Sequence, residues 1–308
     1  MSVQEVLNGE RRHWCERADA LQFLRALPDD SVDLLFTSPP YEKCRTYGIS
    51  NDMPAGEDWV RWMVDIVTAA RPKVKGLIAI NCEGQTRGYR YSCVPFLLIA
   101  DLHRAGFNLR KPAVYERDGI PGSGGPDWVR NDWEPIICVT RPGRLPWSSP
   151  TACGSPPKWA AGGDMSNRRK DGTRVPPKNA TPGSRRRTGS GDMEDQQAGV
   201  QARVDRGYKV PEIANPGNII KCKAGGNHMG TKLTHENEAP FPLKLAEFFV
   251  KSFCPPDGVA CDVFSGSGTV AEAAFARNRR FIGCDLRDSQ VQLYRRRMAT
   301  VTPDLAFA

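Results

Sequence analysis

A buried strand that runs straight into a glycine loop constrains this chain more than any other feature. Residues 258–264 (GVACDVF) are apolar enough for the interior of a sheet, and Ser265-Gly266-Ser267-Gly268-Thr269 follows at once. Residues 269–277 (TVAEAAFAR) then read as a helix. Strand, glycine turn and helix in that order belong to a parallel α/β sheet, which binds ligands at the carboxyl ends of its strands. Glycines there let the backbone turn sharply and approach a ligand closely. Residues 281–284 (FIGC) read as the next strand and Asp285 ends it, 285 − 268 = 17 residues after the last loop glycine. A carboxylate at that point is placed to accept hydrogen bonds from two ribose hydroxyls. The spacing is GxG with no Lys-Ser/Thr behind it, so the loop is not a P-loop phosphate cradle. These residues alone are also compatible with a plain glycine-rich turn and a surface Asp285.

The rest of the chain divides by texture. Residues 1–140 alternate apolar runs, at 32–36 (VDLLF), 76–81 (GLIAIN) and 134–140 (EPIICVT), with helical spacing at 58–70 and 95–105. Residues 227–308 return to the same alternation, with helices expected at 243–253 and 288–298. Between them, residues 141–226 are rich in Pro and Gly and carry Arg168, Arg169, Lys170, Arg185, Arg186 and Arg187. The expected architecture is one α/β domain, a mostly parallel twisted sheet with helices on both faces, interrupted by a loop-rich basic insertion. The net charge of +8 favours a polyanionic partner. Arg295–Arg297 on the last helix read as a solvated face. The ten cysteines form no CxxC pair, which fits buried thiols in a reducing compartment. No apolar run approaches the roughly 18 residues that span a bilayer, and no signal-peptide core opens the sequence, so a cytoplasmic location is expected.

A second loop sits at a strand end. Thr37-Ser38-Pro39-Pro40-Tyr41 follows the run 32–36. The prolines fix φ and remove two backbone donors, leaving a rigid loop with carbonyls free to accept. Ser38 adds a side-chain acceptor and Tyr41 a flat face. In isolation these residues also fit a plain proline-rich turn after a strand, and as a functional set they suit one reaction. The lone pair of an exocyclic amine on a nucleobase is delocalised into the ring, so the amine is a poor nucleophile. Acceptors at its N–H bonds draw the nitrogen towards tetrahedral geometry and free the lone pair to attack an electrophilic methyl. A base inside a duplex must first be flipped out, and an aromatic face offsets its lost stacking. A ribose-bearing ligand without a polyphosphate, as the glycine loop requires, is met by S-adenosyl-L-methionine.

Together these segments resemble the amino-methyltransferases of DNA, in the circularly permuted order called the beta class. There the catalytic loop (here TSPPY, 37–41) precedes a target-recognition region and the cofactor loop (here DVFSGSGT, 262–269) comes last. Residues 17–21 (RADAL), 27–33 (LPDDSVD), 130–137 (RNDWEPII) and 235–243 (HENEAPFPL) resemble further family segments. The resemblance implies a Rossmann-like methyltransferase fold formed by 1–140 and 227–308, with 141–226 as the DNA-recognition insertion. It implies Ser38, Pro39, Pro40 and Tyr41 as the catalytic loop. It implies Asp19, Thr37, Phe241, Asp262, Phe264, Ser265, Gly266, Gly268, Thr269 and Asp285 around S-adenosyl-L-methionine, although Ala18 stands where the family commonly has glycine, and Phe241 also reads as ordinary core. It implies double-stranded DNA as partner and no metal. Ser at position 38 is typical of the cytosine-N4 branch, and Asp or Asn of the adenine-N6 branch. No nuclease motif stands out, so a cognate restriction endonuclease would be a separate chain.

Overall fold

The computed structural model describes residues 2–42, 54–118, 125–156, 169, 171, 173, 212–223, 226–237 and 240–301. The chain forms two compact units, one from Met1–Ala152 with Gly217–Ala308 and one from Cys153–Pro216. In the smaller unit, Ser155 and Ala214 form an antiparallel bridge and the Arg169 N–H donates to the Thr173 carbonyl.

The larger unit carries the strands β1 (His13–Arg17), β2 (Val32–Thr37), β3 (Val74–Asn81), β4 (Thr86–Arg87), β5 (Arg90–Tyr91), β6 (Asn108–Leu109), β7 (Ala113–Asp118), β8 (Trp133–Thr140), β9 (Ile219–Lys223), β10 (Val259–Asp262) and β11 (Arg280–Asp285). The main sheet runs β1-β11-β10-β2-β3-β8-β7-β9, with β6 beside β8, while β4 and β5 pair as a separate hairpin. The five strands from β1 to β3 are parallel to their neighbours. β8 is antiparallel to both β3 and β7, and β9 is parallel to β7.

Successive residues of a strand point to opposite faces, and both faces here are covered. Leu35, Ile78 and Ile80 pack under helices Ala20–Ala26, Glu57–Ala70 and Val94–Arg104. Leu34, Phe36, Leu77 and Ala79 pack under helices Leu243–Phe253, Thr269–Phe275 and Asp288–Val301. Helix Glu57–Ala70 buries Trp59, Val60, Met63, Ile66, Val67 and Ala70, a one-sided helical stripe. This is the expected doubly wound α/β architecture. No helix among the described residues is long and apolar enough to cross a membrane.

The structure departs from the sequence reading at three places. β1 and β7 are strands that the apolar pattern did not announce. β9 falls inside the span expected to be insertion, yet it extends the main sheet beside β7, so the sheet resumes before residue 226. Ile220 and Cys222 face the core while Lys221 and Lys223 face outward, the usual protection of an edge. The third departure is Arg297, expected on a solvated face and in fact fully buried. Its Nε donates to Glu272 Oε2 at 2.6 Å, and its Nη1 donates to Ser267 Oγ and Thr269 Oγ1, each at 3.0 Å. A long side chain reaches these oxygens from a helix that also buries the apolar Val291, Leu293, Tyr294 and Met298 and the polar Gln290. Only Arg295 and Arg296 are solvated, and Arg296 pairs with Glu236.

Removing one partner of a buried ion pair strands the other charge. Arg297→Ala should therefore cost about 3–5 kcal/mol in urea unfolding, whereas Arg295→Ala should stay within about 0.5 kcal/mol of wild type. Equal effects of the two would contradict the buried clamp.

Candidate active site

The carboxyl ends of β2 and β10 lie side by side, with Ala260 opposite Leu34 and Cys261 opposite Leu35. On one side of this pair the chain winds to β11, and on the other to β3. That reversal is the switch point at which open α/β sheets bind ligands. Here the two motif loops meet. Thr37 Oγ1 donates to Asp262 Oδ1 at 2.6 Å, and the Phe264 N–H donates to the same oxygen at 3.0 Å. Burial raises the Asp262 carboxyl to about 7, against the pull of the Thr37 and Phe264 hydrogen bonds.

The glycine loop is held from both sides. Above it, the Gly266 N–H donates to Asp285 Oδ2 and the Arg287 N–H to Asp285 Oδ1, both at 3.0 Å. Asp285 is 8% exposed, so it is no surface residue. Burial pushes its carboxyl upward and the Arg287 backbone and guanidinium oppose the shift. Below it, Arg297 binds the hydroxyls of Ser267 and Thr269. Gly268 has φ +85°, and a Cβ there would lie 2.6 Å from the Tyr294 ring. This glycine is required by the protein's own packing. A Cβ on Gly266, at φ +49°, would meet the Asn237 amide at 2.8 Å. Ser265 is buried and its N–H donates to the Cys284 carbonyl.

The remaining expected cofactor residues are each held by neighbours of their own. The Phe264 ring lies 5.4 Å from Trp62, and Phe241 lies edge-on to Phe36 at 5.3 Å. Asp19 caps helix Ala20–Ala26 by accepting from the Gln22 N–H at 3.1 Å. It sits beside Asp285, because the Ala18 N–H donates to the Asp285 carbonyl. Thr269 differs from the others in that its hydroxyl already serves Arg297.

The proline loop is braced by residues that the sequence did not single out. The Pro40 carbonyl accepts from Trp59 Nε1 at 3.0 Å, so it is not free as expected. The Tyr41 hydroxyl donates to Glu134 Oε2 at 2.7 Å and accepts from Asn81 Nδ2 at 3.0 Å. Asn81 Nδ2 also reaches Glu134 Oε2 at 2.7 Å, and Arg117 pairs with Glu134 Oε1 at 3.3 Å. Ser38 Oγ lies 3.5 Å from the Tyr41 hydroxyl. Burial, with Glu134 beside it, pushes the Tyr41 phenol well above its usual range. The half-buried ring is thus fixed by its polar tip. Asn81 Oδ1 is buried and has no hydrogen-bond partner among the described residues. The one sequence signal was a polar residue closing an apolar strand, Asn81 in GLIAIN.

Of the six basic residues expected to meet DNA, Arg169 is exposed. Arg168, Lys170, Arg185, Arg186 and Arg187 lie outside the described residues.

The family model described as DNA methylase, N6_N4_Mtase, matches residues 32–296. The chain belongs to this family. It is 26% identical over 285 residues to the type II methyltransferase M.PvuII of Proteus hauseri, covering 89% of this chain and 80% of that one. The solved PvuII DNA methyltransferase, described as cytosine-N4-specific, superposes with a TM-score of 0.61 at 18% identity, over 92% and 85% of the two chains. The DNA adenine methyltransferase YhdJ of Escherichia coli K12 is 21% identical over 91% of this chain and 80% of its own. The putative DNA modification methylase TTHA0409 of Thermus thermophilus, solved with S-adenosyl-L-methionine, has a TM-score of 0.56 at 21% identity, over 95% and 96%. The fold is therefore the Rossmann-like methyltransferase fold.

The raised Asp262 carboxyl has a consequence for stability. The folded state keeps a proton that the unfolded chain loses above its ordinary 3.8, and releases it only near 7. This group therefore makes stability fall as pH rises across that window. Asp262→Asn keeps an acceptor for Thr37 but cannot titrate. Its thermal midpoint should decline less from pH 5 to 8 than that of wild type, and identical slopes would rule out the shift.

Proposed function

We propose that the chain transfers the methyl group of S-adenosyl-L-methionine to the exocyclic N4 amine of a cytosine flipped out of duplex DNA. One observation carries the reading: the Thr37–Asp262 hydrogen bond, which holds the Ser-Pro-Pro-Tyr loop against the glycine loop at the switch point. Methyl acceptor and methyl donor then share one crevice.

The buried Asp285 carboxylate at the end of β11 fits a ribose, since its Oδ2 keeps a lone pair beyond the Gly266 N–H it accepts, while its Oδ1 takes the Arg287 N–H and faces the Arg287 guanidinium at 3.6 Å. Phe264 directly precedes the glycine loop, and the aromatic rings of Phe264 and Phe241 with the Asp19 carboxylate suit the adenosine part. S-adenosyl-L-methionine supplies an electrophilic methyl on a sulfonium. The protein's own part is positioning. Ser38 Oγ accepts from one N–H of the target amine. Asn81 Oδ1, buried without a partner among the described residues, on an amide whose Nδ2 donates to the same tyrosine, adds a second acceptor. The Tyr41 ring, pinned at its hydroxyl, offers a fixed plane to the extruded base. No covalent intermediate with the base is needed, and so no cysteine nucleophile.

Ser38 supports cytosine N4, as does the cytosine-N4-specific description of the PvuII enzyme. The likeness to YhdJ keeps adenine N6 as the second reading, with the same fold and site. The basic span 141–226, with Arg168, Arg169, Lys170, Arg185, Arg186 and Arg187, supplies target recognition and phosphate contacts. A cognate endonuclease, if one serves this enzyme, is a separate chain.

Nucleoside mass spectrometry of duplex genomic DNA treated with the protein and S-adenosyl-L-methionine should find N4-methylcytosine. N6-methyladenine would overturn the base assignment alone, and no methylated nucleoside would sink the reaction. Ser38→Ala should lower kcat roughly a hundredfold and leave cofactor affinity unchanged; undiminished kcat removes Ser38 from the chemistry. Asp285→Ala should weaken the cofactor Kd by about 10–100-fold, and an unaltered Kd would remove its ribose role.

A further inference from the structure

The hairpin of β4 and β5 stands just beyond the catalytic end of β3 and has no part in the site described above. Thr86 pairs with Tyr91 and Arg87 with Arg90, so a two-residue turn, Gly88-Tyr89, joins the strands. Both turn residues have positive φ, +53° and +63°. That is the primed turn that matches strand twist, and it favours Asn and Gly. A tyrosine in left-handed backbone is out of place there. Its side chain gains little burial in return, being 82% exposed. Arg87 and Arg90 flank the turn, exposed and directly opposite one another, so their side chains share one face of the hairpin.

The base of this hairpin, by contrast, is tightly held. Glu83 Oε1 accepts from the Tyr91 hydroxyl at 2.5 Å and from the Gly84 N–H at 2.6 Å, and Glu83 Oε2 accepts from Asn131 at 3.1 Å. The Ser92 N–H donates to the Gln85 carbonyl at 2.9 Å. The Gln85 N–H donates to Glu42 Oε1 at 3.3 Å. Glu42 is buried and directly follows Tyr41 of the proline loop. A rigid base tied to the catalytic loop thus carries a strained, exposed aromatic tip flanked by two arginines. Strain of this kind persists where function uses it.

We infer that this hairpin is a DNA-contacting finger, in which Tyr89 stacks into the duplex beside the extruded base and Arg87 and Arg90 bind backbone phosphate. The inference rests on duplex DNA as the substrate and is separate from the basic span 141–226. Extruding a base leaves a gap in the stack, and an inserted side chain fills it. Phosphate oxygens accept charge-assisted hydrogen bonds from guanidiniums, so a backbone phosphate suits the paired arginines. Two strand residues beyond the braced base reach about 7 Å at the usual rise, and the exposed Tyr89 side chain at the tip extends that reach into a major groove about 8.5 Å deep.

The test uses the full chain with two variants. Tyr89→Asn suits the turn and so preserves the hairpin; Arg87→Gln with Arg90→Gln removes both charges. Unchanged thermal midpoint and cofactor Kd establish that each is folded. Binding of labelled duplex genomic fragments is followed against salt, and methyl incorporation is compared on native and heat-denatured DNA. Tyr89→Asn should lower the native-to-denatured activity ratio at least tenfold, because single strands have no stack to fill. The double variant should flatten the slope of log K against log salt by about 2, one for each lost phosphate contact. Wild-type ratio and wild-type slope in both variants would overturn the finger. An altered slope with an unaltered ratio would overturn the insertion of Tyr89 and keep the phosphate contacts. If wild type binds duplex but methylates nothing, a lost slope in the double variant keeps the contacts and overturns the methylation reading. A wild type that binds no duplex overturns both.

Discussion

The hydrogen bond from Thr37 to Asp262 joins two strands whose facing residues, Leu34 and Ala260, are 260 − 34 = 226 positions apart. Parallel neighbours so distant are expensive to bring together, because loop closure must be completed before the contact forms. Once formed, the contact is buried, and a buried acceptor left without its donor is penalised by its whole desolvation. The bond therefore fixes register as well as proximity. It places Ser38 one residue beyond Thr37 on one strand, and Phe264 two residues beyond Asp262 on the other.

Around this link the polar side chains are arranged in two networks, one on either side. Arg297, Glu272, Ser267 and Thr269 lock the glycine loop from beneath, while Asp285 holds it by its backbone. Glu134, Asn81, Arg117 and Tyr41 lock the proline loop from three neighbouring strands, β3, β8 and β7. Both networks sit in low dielectric, where satisfied hydrogen bonds strengthen and unsatisfied ones are costly. Each consequently tends to a single arrangement. For a reaction accelerated by positioning, a loop with one arrangement is the useful kind.

What the sequence disclosed follows the range over which each constraint acts. The turn at Gly266 and Gly268 and the rigid Pro39-Pro40 step are demands of local backbone, so they are written in adjacent letters. Strands β2, β3 and β10 were legible as unbroken apolar runs because both of their faces are covered. β9 was not, since a short edge strand with two outward lysines resembles the loop residues around it. Glu134 and Arg117 could not be read as partners, because their meeting depends on the β8–β7 pairing and on nothing nearby in sequence. Arg297 was misread for a related reason. In Arg295-Arg296-Arg297 the three letters are identical, and only the helical angle and the buried Glu272 separate the third from the others.

Position 268 needs glycine before any ligand is considered. Its left-handed φ turns the chain into helix Thr269–Phe275, and its bare Cα lets the Tyr294 ring close against the loop. Tyr294 in turn bonds His13 on β1 through its hydroxyl, at 2.9 Å. Burial lowers the His13 ring to about 4, so it is neutral at ordinary pH and able to share that hydrogen bond. The glycine loop is thereby tied to the sheet edge on one side, to the last helix below and to Asp262 and Thr37 on the other. A glycine motif usually read as room for a ligand is here first a packing requirement of the protein's own residues.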